Sequence, residues 1–200
     1  MFISDSELLV LGRRYQQLAA EEDWEALKLN FAHIGNNSFI PAPRRIMGAK
    51  FISIGDNFVT LSNTRIEAVI EYGGKQYSPR ITIGNNVTLN TDCHIGCTHS
   101  ITIGNNVLIA SRVYISDHAH GNLDASDIGI GPHLRPLSSK GPVIIGDNVW
   151  IGNGVCVMPG VTIGANSVIG ANTVVTKNVP PNAIFVGSPG RVLRLLNDPR

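Results

Sequence analysis

The sequence has little of what marks several protein classes. Only 16% of its 200 residues are charged, and the formal net charge is +1. Without a long Lys/Arg run it lacks the electrostatic footprint that neutralises a phosphate backbone, so nucleic acid is not an expected partner. Cysteine is scarce and odd in number, at Cys93, Cys97 and Cys156. A chain of this length buries a core without staples, which argues against a secreted disulfide framework and for reduced thiols in the cytoplasm. Cys93 and Cys97 have no second pair to complete a tetrahedral zinc site. No apolar run approaches the roughly 20 residues of a membrane span. The opening Met1-Phe2-Ile3-Ser4-Asp5 puts acidic residues ahead of its apolar stretch and is unlike a secretory signal.

What is present begins with a helical pattern over residues 1–33. Ser4 and Glu7 have the spacing of a capping box, and Leu8, Leu11, Tyr15, Leu18, Trp24 and Leu27 recur at helical intervals. A break near Ala20-Asp23 divides this segment into two helices.

From Ile34 the period becomes six. Ile145, Ile151, Val157, Ile163, Ile169 and Val175 form an unbroken series, preceded by Ile34 to Ile52, Ile54 to Ile66, Ile83 to Ile101 and Ile103 to Ile115 in the same frame. Six is a multiple of the strand period of two and not of 3.6, so short strands keep these residues inward where a helix would smear them. The Gly-Asn-Asn and Gly-Asp-Asn triplets at 55–57, 84–86, 104–106 and 146–148 suit corners that need positive φ. Three hexads make a triangular coil, and roughly six coils stacked at about 4.8 Å make a prism about 30 Å tall.

The runs Ile144-Ile145-Gly146-Asp147-Asn148-Val149-Trp150-Ile151-Gly152, Pro159-Gly160-Val161-Thr162-Ile163-Gly164, Val174-Val175-Thr176-Lys177 and Val186-Gly187-Ser188-Pro189-Gly190-Arg191-Val192 resemble the hexapeptide-repeat acyltransferases. Among these the likeness is to maltose, galactoside and polysaccharide O-acetyltransferases, and it covers about residues 34 to 195. The resemblance implies a mainly β fold, a left-handed parallel β-helix over 34–195, which the usual rule for parallel crossovers would not give. It also implies a homotrimer, acetyl-CoA as co-substrate, no metal, and a saccharide hydroxyl as acceptor.

Two insertions interrupt the frame, one near 71–80 and a longer one at 117–142, and only the second is rich in chemistry. It opens Asp117-His118-Ala119-His120. A hydroxyl is a poor nucleophile until a base takes its proton, and histidine is the side chain best matched to that task near neutral pH. Matched without gaps from Val113, the family's catalytic histidine falls on His120, with His118 two residues earlier as the alternative and Asp117 as the orienting carboxylate for whichever imidazole acts.

For coenzyme A the resemblance implies contacts from Gly152, Asn153, Gly170, Ala171, Thr176, Lys177 and Arg191, the two cations facing phosphates. Trp150 also matches the family, either as a ring stacking at the cleft rim or as an aromatic plug at a prism corner. Asn90 and Asp92 match a position that presents polar groups to the acceptor from a neighbouring subunit. His94, His99, His33 and His133 read as structural or solvated. Three rivals stand beside this reading: acetylation of an amino sugar or an antibiotic on the same fold, a zinc-dependent γ-class carbonic anhydrase, and a β-helix without catalysis. His94, His99 and His118 have the residue order opposite to the carbonic anhydrase pattern.

Overall fold

The computed structural model describes residues 10, 14 and 21–198. From His33 onward the chain winds through three parallel sheets. The first face contains His33–Ile34, Ile52–Ile54, Ile81–Ile83, Ile101–Ile103, Val143–Ile145 and Thr162–Ile163. The second contains Val59–Thr60, Thr88–Leu89, Leu108–Ile109, Trp150–Ile151 and Val168–Ile169, and ends in a hairpin of Ala183–Gly187 with Gly190–Leu195. Arg44–Met47, Thr64–Ala68, His94–Cys97, Tyr114–Ser116, Cys156–Val157 and Val174–Val175 form the third.

The six-residue frame is the inward side of this architecture. Ile54, Ile83, Ile103, Ile145 and Ile163 stack in register on the first face, each at most 2% exposed. Ile66, Ile95, Ile115, Val157 and Val175 do the same on the third. A strand two or three residues long buries little by itself. Stacking identical rows turns those single side chains into a continuous dry core.

The corners use two residue types for two reasons. Asn37, Asn57, Asn86, Asn106, Asn148, Asn166 and Asn182 all sit at φ between 55° and 59°, where asparagine is better tolerated than most side chains. Each passes a side-chain hydrogen bond to the next, Nδ2 to Oδ1 at 2.9–3.2 Å, so the corner is a continuous amide ladder. The glycine two places earlier answers a different need. A Cβ on Gly104 would lie 2.4 Å from Asp147 Oδ1 and 2.9 Å from Asp147 N, so glycine is required by the approach of the next coil rather than by φ.

Residues 21–28 are helical, and Trp24 lays its ring edge-on to Phe31 and Phe39 over the first coil. The capping box and the apolar positions before Trp24 lie outside the described residues. Of the expected break near Ala20-Asp23, residues 21–23 are helical and residue 20 is outside the described set. Among the described residues no helix is long and apolar enough to cross a membrane.

Both insertions fold as antiparallel hairpins. Glu71–Tyr72 pairs with Lys75–Gln76, and His118–His120 pairs with Leu137–Ser139. The first clasps the second. Tyr77 Oη accepts from Leu137 N at 2.8 Å and donates to Leu137 O at 3.1 Å, while Tyr72 Oη donates to His133 O at 3.0 Å. Insertion 71–80 therefore supports the loop that the sequence marks as chemical, a role its composition does not reveal.

Candidate active site

Asp117 is the first residue past the strand Tyr114–Ser116, and it is fully buried. A buried carboxylate needs donors for its lone pairs. The preceding coil supplies them at its corner: Thr98 N at 2.9 Å, His99 N at 2.8 Å and Ser100 N at 2.8 Å, with the Thr98 hydroxyl at 3.2 Å. Burial pushes the Asp117 carboxyl up, but the hydrogen bond with His118 and those from Thr98 and His99 outweigh it. The net result lies below the ordinary carboxylate value.

The remaining direction of Asp117 is taken by His118, whose Nδ1 lies 2.9 Å from Oδ1. An ionised carboxylate only accepts, so the Nδ1 proton is assigned to His118 and Nε2 is left with its lone pair. Ser116 fixes the turn between them by accepting from His118 N at 3.2 Å and donating to His118 O at 2.9 Å. The His118 side chain is 13% exposed, so it is held rigidly yet reachable.

His120, which the gap-free match prefers, is exposed and meets the Tyr72 ring edge-on at 5.0 Å. The carboxylate contact goes to its alternative. Residues 118 and 120 share one side of the hairpin, so alternation does not separate them; the Asp117 carboxylate, fixed by the corner N–H groups, reaches only the His118 ring.

Cys97 donates to Asp117 Oδ2 at 3.3 Å, and its thiol is pushed far up by burial and then by the Asp117 charge. It is therefore no nucleophile at neutral pH.

Of the positions matched to coenzyme A, all but Arg191 fall on two edges of the third face. Gly152 and Asn153 follow Trp150–Ile151, and Gly170 and Ala171 follow Val168–Ile169, all where the second face turns into the third. Thr176 and Lys177 follow Val174–Val175 at the other edge, beside the 117–142 loop. There Thr176 lines a cleft with Ala119, Gly121, Lys140 and Met158. Lys177 is exposed, as is Arg191 on the closing hairpin. Trp150 is 52% exposed on the second face, between Leu108 and Val168 in register. Coil stacking alone calls for small residues at 152, because a Cβ there would lie 2.7 Å from Ala171 N. Asn90 and Asp92 lie at the edge where the third face begins, away from His118 within one chain. Asp92 sits at φ 60 and accepts from Asn63 Nδ2 at 3.0 Å.

Two groups near His118 escape the sequence reading. Glu67, 4% exposed, and His94, taken as an ordinary structural residue, face the same side of the third face as His118. The repeat frame marks them only as outward positions. Their neighbours are set by strand register, which one sequence does not display.

Residues 142–177 match the family model described as bacterial transferase hexapeptide (six repeats). The chain is 37% identical over 166 residues, 81% of each chain, to an Escherichia coli (strain K12) protein named as a candidate lipopolysaccharide biosynthesis O-acetyl transferase, WbbJ. A galactoside acetyltransferase solved in complex with coenzyme A is 35% identical, with a TM-score of 0.55, covering 86% of this chain and 68% of that one. A hexapeptide-repeat-containing acetyltransferase from Vibrio cholerae O1 biovar eltor, complexed with acetyl coenzyme A, is 29% identical with a TM-score of 0.55, covering 86% and 74%. Repeat frame, stacked parallel faces and relatives of this length agree, and the chain belongs to the hexapeptide-repeat acetyltransferase family.

Proposed function

We propose that this protein transfers the acetyl group of acetyl-CoA to a hydroxyl of a saccharide in a ternary complex, with His118 as general base and Asp117 as its orienting carboxylate. The observation that supports this most directly is the 2.9 Å contact between Asp117 Oδ1 and His118 Nδ1, made by a carboxylate otherwise saturated with corner N–H groups. His118 Nε2 takes the acceptor proton as the oxygen attacks the thioester carbonyl, and the imidazolium returns it to the departing thiolate. Asp117 stays ionised throughout and stabilises the imidazolium. Backbone N–H groups receive the oxyanion. Transfer is direct, since the buried Cys97 thiol is held protonated.

The exposed Lys177 and Arg191 fit the phosphates of coenzyme A, and the small residues at 152, 153, 170 and 171 fit close passage of its pantetheine arm. Lys177 and the small residues lie on opposite edges of the third face, as do His118 and the pair Asn90 and Asp92, while Arg191 is on the hairpin that ends the second face. One chain keeps the edges apart. A closed ring of three with the third faces turned inward brings one subunit's edge against its neighbour's opposite edge, which is the reason for reading the protein as a homotrimer. In this reading residues 34–195 are the catalytic unit, wound left-handed as the family resemblance implies, and 1–33 are accessory. The three free cysteines and the use of acetyl-CoA favour the cytoplasm.

The test is acetyl transfer from labelled acetyl-CoA to a panel of methyl glycosides and amino sugars by wild type and His118→Ala. Transfer to hydroxyls that disappears in the variant supports the reading. Full activity of the variant, or transfer to amines alone, ends it.

A further inference from the structure

Where the third face turns into the first, a column of basic residues climbs the edge from which the 117–142 loop leaves. Lys50, Arg80, His99 and Lys140 stand one to three residues before the strands Ile52–Ile54, Ile81–Ile83, Ile101–Ile103 and Val143–Ile145. Those strands are successive neighbours in the first sheet, so the column rises by one strand spacing per residue, roughly 14 Å from end to end. All four residues are exposed.

Two grooves flank the column and meet at Ser78. One, of about 540 Å³, has Lys75, Ser78, Thr98, His99, Ser139 and Lys140 in its walls. The other, of about 450 Å³, has Lys50, Ser53, Ser78, Arg80 and Thr82. Among the described residues neither groove is lined by an aspartate or a glutamate, and Lys50, Lys75, Arg80 and Lys140 make no ion pair. Glu71, on the same hairpin as Lys75, accepts from the Gln76 amide at 2.7 Å and lines neither groove.

Like charges facing one another on adjacent strands cost stability. The fold keeps them here and steadies two of them with rings of the groove walls, which orient a cation without neutralising it. Lys50 Nζ lies 5.1 Å from the Phe51 ring centroid and Lys75 Nζ 5.5 Å from that of Tyr77. The neutralising charge has to come from outside the chain. Beside the column, Ser53, Thr82 and Thr102 stand in register on the first face, between inward isoleucines, and form an outward row of hydroxyls. The larger groove also backs onto the loop: Thr98 and His99 give their N–H groups to Asp117, and Ser139 lies opposite His118 in the loop hairpin.

Resting on the proposed acetyl transfer, we infer that this edge binds an acidic saccharide chain, with its carboxylate or phosphate groups on Lys50, Arg80 and Lys140 and its hydroxyls along Ser53, Thr82 and Thr102. The chain leads to the loop that carries His118, so the acceptor is an anionic glycan longer than one sugar. Three fixed cations over this length, next to a row of alcohols, suit sparse charge among many hydroxyls. A nucleic acid duplex, with one charge per about 1.7 Å, would call for a denser array.

The experiment titrates the full chain with fluorescently labelled oligogalacturonate and with a neutral galacto-oligosaccharide of equal length, read by anisotropy, and runs each unlabelled against the methyl glycoside that the wild type acetylates fastest. The acidic chain is expected to bind about tenfold or more tightly than the neutral one, with an advantage that shrinks as salt rises, and to compete with the glycoside. Lys50→Gln/Arg80→Gln is expected to lose that advantage and the charge-conserving Lys50→Arg/Arg80→Lys to keep it. The charge-matched control Lys28→Gln/Arg112→Gln, at exposed or helical positions off this edge, should stay within about twofold of wild type. Equal binding of the two chains overturns the inference, as does an equal loss in both glutamine doubles, which would reduce the effect to net charge. A single-stranded oligonucleotide that outbinds oligogalacturonate assigns the column to nucleic acid and overturns it too. Column-dependent binding without acetyl transfer to any acceptor refutes the transfer reading alone. Transfer that disappears in His118→Ala, beside acidic and neutral chains bound alike, refutes the glycan track alone.

Discussion

Asp117 and His118 are sequence neighbours whose side chains meet, Oδ1 to Nδ1 at 2.9 Å, because the chain turns sharply at the end of a strand. Asp117 is simultaneously the anchor of the preceding corner through Thr98, His99 and Ser100. One carboxylate therefore ties the loop to the prism and orients the His118 imidazole.

Asp117→Asn should reduce acetyl transfer about a hundredfold or more, by removing the charge that supports the imidazolium. The same change should alter acid stability. A carboxyl lowered on folding adds stability above its unfolded value near 4, and that stability is lost as pH falls through the lower folded value. Urea midpoints measured from pH 7 downward should fall with acid in wild type and fall less in the variant.

His118→Ala and His120→Ala should separate cleanly. Loss of the base costs on the order of 10²-fold or more in kcat, whereas loss of the exposed ring packed on Tyr72 should cost less than about tenfold. Steady-state kinetics of the two variants decide between the neighbouring imidazoles.

Tyr77→Phe removes both hydrogen bonds to Leu137, whose strand pairs with His118–His120. Limited proteolysis within 121–136 should accelerate about tenfold, the equivalent of ~1.4 kcal/mol of local opening at a residue that makes two net bonds. If the loop is cut at the wild-type rate, insertion 71–80 is not its support.

Asn106→Ala and Asn106→Gly test the corner ladder. Both break the links to Asn86 and Asn148, but alanine adds strain at φ 56. Alanine should be the more destabilising by about 1 kcal/mol in urea denaturation, with glycine closer to wild type.

Thr60 occupies an inward position over Leu89, 1% exposed, and its buried hydroxyl has no hydrogen-bond partner. Thr60→Val should stabilise the protein by about 1 kcal/mol, read as a higher urea midpoint at unchanged slope.

The period of six determined the inward rows and the prism, because a strand's facing depends only on spacing along the chain. Ile54, Ile83 and Ile103 could be placed from their intervals alone. Asp117, His118 and His120 were visible for the same local reason, as a polar cluster where the frame stops.

Register between coils was invisible, and it decided the rest. Only stacking sets Glu67 and Ser116 beside Gly96, brings His94 toward His118, and lets Tyr77 reach across 60 residues to Leu137. The choice between His118 and His120 was likewise tertiary. It depends on which ring the Asp117 carboxylate can reach once corner N–H groups have fixed its other oxygen lone pairs, a geometric fact that no spacing of residues encodes.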